Sequence, residues 1–284
     1  MIASMGDKIK AKEMMKNAGV PVIPGSDGGV VNNDDELKKQ YCICKLEAKK
    51  CFESEEIYIE KFISAAKHIE FQIIADNYGN AIYLPERDCS MQRNHQKVLE
   101  ESPSKVVTEE LREEIGSTVV NTRIQVEHPI SEEVSNIDIL KEQIKVADGE
   151  KLEFTQEDVR IDGCSIECRI NAEDTFDNFR PCPGTIENII MPGGIGVRID
   201  TNVYNGYTIP IYYDSMILKL IVHGKNRGET IDRIQRALDE MKIEGVKTNI
   251  DFHKWIINKE AFRSGEYCTD FLENELVGKN ESIK

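Results

Sequence analysis

The sequence predicts an α+β protein, and three observations carry that expectation. From Cys164 onward, short apolar runs alternate with Pro/Gly turns, the texture of strands. Other segments space their apolar residues as helices do, most regularly Arg227 to Met241, with Ile231, Ile234, Leu238 and Met241 in register. The chain shows no internal repeat and no low-complexity tract that would suggest a solenoid or a linker.

Taken in order, Asp7 to Ala18 reads as a helix stopped by Gly19, followed by a turn-rich loop from Pro21 to Gly29. Asp34 to Lys50 reads as a poorly amphipathic helix in which Tyr41 to Leu46 sits awkwardly. Ile57 to Ile63 and His68 to Ala75 read as strands, the second with Ile69, Phe71 and Ile73 on one face. A turn at Asn77 to Asn80 leads into a strand from Ala81 to Leu84. Helices are expected from Glu109 to about Val119 and from Ile137 to Ala147, the latter with Ile137, Leu140, Ile144 and Ala147 on its apolar side. Strands are expected at Cys164 to Ile170, Thr185 to Ile190, Gly196 to Asp200 and Ser215 to Val222. An acidic stretch from Glu150 to Asp162 separates the two textures and marks a domain boundary, giving domains 1–155 and 156–284.

Composition bounds the function. The 284 residues suffice for two domains, and 40% hydrophobic with 31% charged residues is the balance of a globular protein. The net charge of −15, without a basic stripe, argues against a nucleic-acid partner. No run approaches the ~18 apolar residues of a membrane span, and the N-terminus resembles neither a signal nor a transit peptide. The eight cysteines form no CxxC pair and lack partners at zinc-ligand spacing, so no metal site is assigned. They read as reduced, mostly buried thiols, which places the chain in a reducing, cytoplasmic compartment.

Three clusters could carry chemistry. The first runs from Glu86-Arg-Asp88 through Gln92-Arg93-Asn94-His95-Gln96 to Lys97, either a ligand-binding strand end or a solvated loop. The second is Asn121-Thr-Arg123-Ile-Gln125-Val126-Glu127-His128-Pro129. Extended, it would put Asn121, Arg123, Gln125 and Glu127 on one face; the alternative is an edge strand with a wet face. An Arg within reach of a Glu keeps that carboxylate ionised and able to act as a base. The third places Arg169 inside the apolar run Ile166 to Ile170, where it serves either a salt bridge to Glu127 or Glu173 or a catalytic role.

These three runs, in this order, resemble the signature runs of biotin carboxylase, an ATP-grasp ligase. Met5-Gly-Asp-Lys8, Gly19 to Gly28, Tyr212 to Ile217 and Gly245 to Asn249 extend the resemblance over essentially the whole chain. It implies a partial ATP-grasp domain followed by a biotin carboxylase C-terminal domain. It also implies carboxylation of biotin on its carrier protein, with bicarbonate as carboxyl donor and MgATP as energy source. Glu127 would deprotonate bicarbonate; Arg123, Gln125, the Val126 backbone and Lys97 would hold the anion; Arg169 would stabilise the biotin enolate. A guanidinium matches such an anion bidentately, and donors aimed at a developing oxyanion are worth ~3–4 kcal/mol each. On the nucleotide side, Lys8, Glu60, Lys61, His68, Gln92 and His95 match family contacts, whereas His223 and His253 match nothing catalytic. The implied partners are the biotin carboxyl carrier protein, carboxyltransferase subunits and a second copy in a homodimer. The implied complex is an acetyl-CoA carboxylase of fatty acid biosynthesis.

The sequence also departs from the resemblance. The chain begins just before Met5-Gly-Asp-Lys8, without the family's N-terminal domain. Between Lys39 and Ala48 there is no lysine-bearing strand and glycine-rich flap, and Gly116 to Val120 runs directly into Asn121 without the strands that carry two magnesium-binding glutamates. Asn94, Leu218, Thr175 and Cys182 are smaller departures. Phosphoryl transfer rests on positioning and charge neutralisation, so the chain is expected to be impaired or inactive in ATP chemistry. Breaks inside structural elements suggest lost exons in a gene model, with unpaired strand edges and apolar faces as the consequence. Two other readings follow: a non-catalytic module binding the carrier or a partner subunit through Asp162 to Leu276, or a chain without a stable fold.

Overall fold

A computed structural model describes residues 33–52, 57, 63–118, 121 and 123–282. The chain divides into two compact units, Met1–Ser64 and Ala65–Lys284. In the first, the described structure is helix α1 (Asp34–Phe52). Asn33 Oδ1 caps it by accepting from the Glu36 N–H, while acids in its first turn and lysines in its last complement the helix dipole. Tyr41, Ile43 and Leu46 are exposed, in keeping with its weak amphipathicity. The helix expected at Asp7 to Ala18 and most of the strand expected at Ile57 to Ile63 lie outside the described residues.

The second unit is built from strands β1 (Ile69–Glu70), β2 (Ile73–Ala75), β3 (Ala81–Tyr83), β4 (Arg87–Arg93) and β5 (Gln96–Ser102), then helices α2 (Glu109–Gly116), α3 (His128–Ser135) and α4 (Ile139–Ala147). There follow β6 (Cys164–Asn171), β7 (Glu173–Asp174), β8 (Arg180–Pro181), β9 (Asn188–Ile190), β10 (Val197–Thr201), β11 (Met216–Gly224), α5 (Arg227–Glu240), β12 (Lys242–Glu244), α6 (Ile250–Ile257), α7 (Glu260–Ser264) and α8 (Phe271–Ser282). Six strands form one antiparallel sheet in the order β1-β4-β5-β6-β11-β10. Three two-stranded ladders flank it.

Period-two alternation gives the central strands their two faces. Ile166, Cys168 and Ile170 on β6, with Leu218, Leu220 and Val222 opposite them on β11, form the core with Leu99, Ile231, Ile234, Leu238 and Ile256. Burying each such side chain contributes roughly 1.5–3 kcal/mol. The other face carries Glu167 and Arg169 on β6, Glu100 opposite Glu167 on β5, and Lys219 opposite Arg169 on β11; α3 lies across these strands. The edges are a two-residue β1 and a β10 bearing Arg198 and Asp200, devices that keep edges from pairing. Gly245 turns the chain out of β12 at φ +94°, and a Cβ there would stand 2.3 Å from the Thr185 carbonyl oxygen.

Most expected elements are present, and the differences have physical causes. The strand expected from His68 to Ala75 is broken: β1 pairs with β4 and β2 with β3, while Phe71 and Gln72 bridge the two sheets. Helix α2 ends at Gly116, where a Cβ would stand 2.6 Å from the Tyr83 ring. Of the apolar side expected for α4, only Ile137, just before the helix, packs against the core. Leu140 (46%) and Ile144 (70%) are exposed, whereas Ile139, Glu142 and Val146 turn inward. Packing of Ile139 against Ile74, Ile82 and Leu84 of the β2–β3 hairpin selects that face over the other apolar stripe. The strand expected from Thr185 shortens to β9, with Thr185 holding a single bridge to Thr208. All seven described cysteines are free, but only Cys89, Cys164 and Cys168 are buried, fewer than expected.

Candidate active site

The first cluster is neither a strand exit nor a solvated loop. It is the β4–β5 hairpin itself, turned at Asn94 and His95, which adopt φ +49° and +61°. The turn leaves His95 exposed and pairs Gln92 with Lys97 across the hairpin.

The second cluster overturns an expectation. Residues 123–127 are not a strand: Gln125 O accepts from His128 N, and Glu127 is the residue immediately before α3, whose first turn holds Pro129. Proline favours that position because the first-turn N–H has no intrahelical partner to lose. Ile130 and Val134, four residues apart, then face the interior. Without a strand's alternation the four polar residues do not share one face. Glu127 is buried and Gln125 half-buried, while Arg123 is exposed, makes no ion pair with described residues and contributes only its carbonyl, which accepts from Gln72 Nε2 at 3.3 Å. The Val126 carbonyl accepts from Lys219 Nζ at 3.0 Å.

Glu127 is held between two cations. Lys97 Nζ donates to its Oε1, and Arg169 Nη2 donates to its Oε2 at 2.7 Å. Arg169 turns its Nε to Glu100 Oε1 at 2.6 Å, so it joins Glu127 and Glu100, not Glu173. Glu173 instead accepts from Asn171 Nδ2 and the Ser215 hydroxyl. Behind Lys97 lies Glu70, 2.8 Å away. Glu70 also accepts from Arg87 Nε at 3.2 Å and Gln125 Nε2 at 3.0 Å. Gln125 Oε1 accepts from both Arg87 and Asn121. Arg87 is wholly buried and reaches Ser131 Oγ at 3.2 Å. His68 stands 3.6 Å from Glu70, and its backbone N–H donates to Ser90 Oγ. Lys8, Glu60 and Lys61 lie outside the described residues.

The electrostatics follow from burial and pairing. Burial works to raise the Glu70 carboxyl, but the hydrogen bond with His68 and the Arg87 and Lys97 charges outweigh it and hold Glu70 well below the usual carboxylate range. Burial opposes the charge of Arg169, yet Glu100 and Glu127 carry that guanidinium above its ordinary value. Lys97 is likewise raised, against burial, by its acidic neighbours. Glu100 goes the other way: burial pushes it up to about 7, with Arg169 opposing and the Glu127 charge adding. Glu70 and Glu100 were not singled out from sequence, and Arg87 and Glu167 stood within the first and third clusters without an assigned role. The usable signals were a charged residue inside an apolar run, as for Arg169, and the polar positions 68, 70 and 72 spaced by two.

A cavity of about 310 Å³ opens above these groups, lined by Lys97, Arg169, Asn171, Glu173, Phe179 and Tyr213 among others. Such a cavity suits a small planar anion and part of a larger ligand. Magnesium does not fit the groups present among the described residues. Among the described residues, Glu70, Cys89 and Glu127 bring candidate ligand atoms within 4.8 Å of one another. The Lys97 ammonium already bridges the two carboxylates, and burial raises the Cys89 thiol well above its ordinary value. Asn121 is spent on Gln125. No helix among the described residues is long and apolar enough to cross a membrane.

Comparison with known proteins places these residues in context. Residues 167–274 match the family described as biotin carboxylase C-terminal domain. Residues 25–121 and 118–155 match the carbamoyl-phosphate synthase L chain, ATP binding domain. That second match splits at the Gly116 to Asn121 junction, where the sequence departs from the expected pattern. The chain is 45% identical to a pyruvate carboxylase subunit of Methanothermobacter thermautotrophicus, over all of this chain and 70% of that protein. The alignment runs over 344 positions against 284 residues here, so the relative carries internal stretches with no counterpart in this chain. It is 41% identical to the biotin carboxylase of Haemophilus influenzae, over 99% of this chain and 76% of that one. Among solved structures, the biotin carboxylase domain dimer of Hydrogenobacter thermophilus 2-oxoglutarate carboxylase, in complex with MgADP, ADP and bicarbonate, superposes with a TM-score of 0.91. It is 40% identical and covers 96% of this chain and 74% of that one.

Proposed function

The chain belongs to the biotin carboxylase family, a family of enzymes, and on that premise we propose that it takes part in ATP-dependent carboxylation of biotin by bicarbonate. The observation that carries the reading is buried Glu127 held between Lys97 and Arg169, both of which line the cavity. Glu127 takes the proton of bicarbonate. Protonating Glu127 loosens its hold on Lys97 and Arg169, and the released donors face the anion that has just gained charge. Lys97, the Gln125 amide and the Val126 backbone position that anion. Arg123, exposed here, joins them only if its side chain swings inward. Arg169 serves the biotin oxyanion, its planar fork held in place by Glu100. ATP supplies the phosphoryl group; His68 and Gln92 lie beside this cluster and His95 at the hairpin turn, and the family resemblance assigns them, like Lys8, Glu60 and Lys61, to nucleotide contacts.

Because the groups among the described residues do not fit magnesium, the phosphoryl step in this chain is proposed to be impaired or absent. Biotin arrives on its carrier protein, and a carboxyltransferase subunit consumes the product. For the wider complex we favour an acetyl-CoA carboxylase of fatty acid biosynthesis in the cytoplasm, with the chain as a homodimer. Relatives named for pyruvate and 2-oxoglutarate carboxylation define the competing acceptors. A boundary at 155/156 fits family matches that end at 155 and resume at 167.

The test is the full chain with MgATP, labelled bicarbonate and free biotin. Slow formation of carboxybiotin, abolished by Glu127→Gln, supports the reading. A second reading, a non-catalytic module for the carrier, draws on the complete core around β6, β11 and α5. Calorimetry with biotinylated carrier decides: binding without nucleotide, together with no ATP hydrolysis, favours the module, and neither activity nor binding overturns both.

A further inference from the structure

On the sheet face that carries Arg169, beneath α3, Glu100 on β5 and Glu167 on β6 stand directly opposite each other in the antiparallel register. Side chains so placed have Cβ atoms about 4.5–5.5 Å apart, and like charges there repel. Both residues are fully buried. Neither oxygen of Glu167 has a hydrogen-bond partner, nor does Oε2 of Glu100, the three being buried orphans in one place. Unpaired buried acceptors are costly, and two ionised carboxylates cannot share such a site.

We propose that Glu167 is held as a neutral carboxylic acid whose O–H donates to Oε2 of Glu100, and that this pair is the positioning device that fixes Arg169 from behind. One shared proton satisfies an orphan oxygen on each residue and removes the repulsion. Glu100 keeps its other oxygen for Arg169 Nε, so the guanidinium is clamped between Glu100 and Glu127. The charged groups facing the pair are Lys97 from β5, Arg169 from β6, Lys219 from β11, Glu127 at the start of α3, and the Cys89 thiol on β4. Helix α3 lies across the same three strands, β5, β6 and β11. In keeping with this, burial and the Glu100 charge raise Glu167 well above the usual range, and Glu100 itself is pushed up to about 7.

A functional consequence follows, resting on the carboxylation reading. When Glu100 also takes up a proton, Arg169 loses one of its two carboxylate partners, and the cavity gains one positive charge. Anion affinity then rises as the pH falls through about 7, by at most about tenfold per pH unit for a single linked proton.

The pair is read directly by infrared difference spectroscopy of the full chain. A C=O stretch of a neutral carboxylic acid is expected at about pH 8, far above ordinary glutamate titration. It should vanish in Glu167→Gln and survive in Glu127→Gln. No such band, or a band that survives Glu167→Gln, overturns the proposal. Carbon-13 spectra of side-chain-labelled glutamate in the unsubstituted chain answer the same question should a variant not fold. For positioning, nitrate, planar like bicarbonate but without a proton to titrate, should bind more tightly as pH falls in the wild type and independently of pH in Glu100→Gln. Wild-type binding that ignores pH refutes the link to Arg169. A chain that makes no carboxybiotin yet shows the band and the nitrate dependence sinks only the carboxylation reading.

Discussion

Arg169 is the residue on which the site's stability and its chemistry both turn, and replacing it with methionine separates the two. Methionine retains much of the apolar stem while removing the guanidinium from Glu100 and Glu127, which are 0% and 2% exposed. Removing one partner of a buried ion pair typically costs about 3–5 kcal/mol, since the remaining charge is stranded. Here the two stranded acids differ. Glu127 keeps Lys97, whereas Glu100 keeps nothing charged at hydrogen-bonding distance. Glu100 can escape by taking up a proton, which its position near 7 already makes easy. Protonation costs about 1.4 kcal/mol for each pH unit above that value. That escape limits the loss, which is therefore expected to be about 1–2 kcal/mol larger at about pH 8 than at about pH 6. Urea denaturation read by the sole tryptophan, Trp255, which stacks on Phe252 at the edge of the core, measures it. The double variant Arg169→Met/Glu100→Gln should recover about 1–3 kcal/mol, the range for directly coupled residues. A loss under about 1 kcal/mol at both pH values, or a double variant no more stable than the single, would refute the buried-pair argument.

Other expectations concern the fold, its titration and the metal. Leu99→Ala, at a wholly buried position in the main core, should lower stability by about 2–5 kcal/mol in the same urea assay; a loss below about 1 kcal/mol would mean the sheet is not packed as described. Glu100 titrates from an ordinary 4.5 to about 7 in the fold, so its contribution is fully present below about 4.5 and is lost as pH rises through about 7. Glu100→Gln should flatten that decline in melting temperature, and an unchanged profile counts against it. His253, wholly buried with Nε2 bonded to the Arg169 carbonyl, is depressed by burial to about 4. Its contribution is present above the ordinary 6.5 and lost as pH falls toward 4, so His253→Gln should be least harmful in acid; an equal penalty at neutral and acid pH would remove histidine from that limb. Millimolar magnesium should leave the melting temperature unchanged relative to chelator, because only a ligand bound to the folded state raises it; a clear rise would show a cation site among these carboxylates.

The C-terminal half was the more legible in sequence. Strand β6 alternates apolar and polar residues cleanly, β11 is an apolar run broken by Lys219 and His223, and α5 repeats its apolar residues at helical spacing, so local pattern and tertiary burial agree. The failures fall where two local patterns compete. Helix α4 carries two apolar stripes, and only the β2–β3 hairpin decides between them. Pro129 reads equally well as a strand terminator and as a first-turn helix residue. Partnership was the least legible feature of all. A charged residue inside an apolar run announces that it needs a partner, as Arg169 did, but its run cannot say that Glu100, 69 residues away in sequence, supplies one.

Lys97, Glu127 and Arg169 nevertheless converge although the strand expected to deliver Glu127 does not exist. Resemblance to a family conveys which residues meet, while secondary structure depends on what lies beside each segment. A strand needs neighbours to take its backbone hydrogen bonds, and Arg123 follows closely on the junction where the ATP-binding match splits. The segment at 123–127 pairs with no strand among the described residues, so the period-two alternation that would have turned Arg123 inward is not imposed. Glu127 escapes this loss because α3, packed on β5, β6 and β11, fixes its position from the C-terminal side. The same junction therefore accounts for an outward Arg123 and an intact Glu127, and restoring the family's strands before Asn121 should return Arg123 to the cavity without moving Glu127.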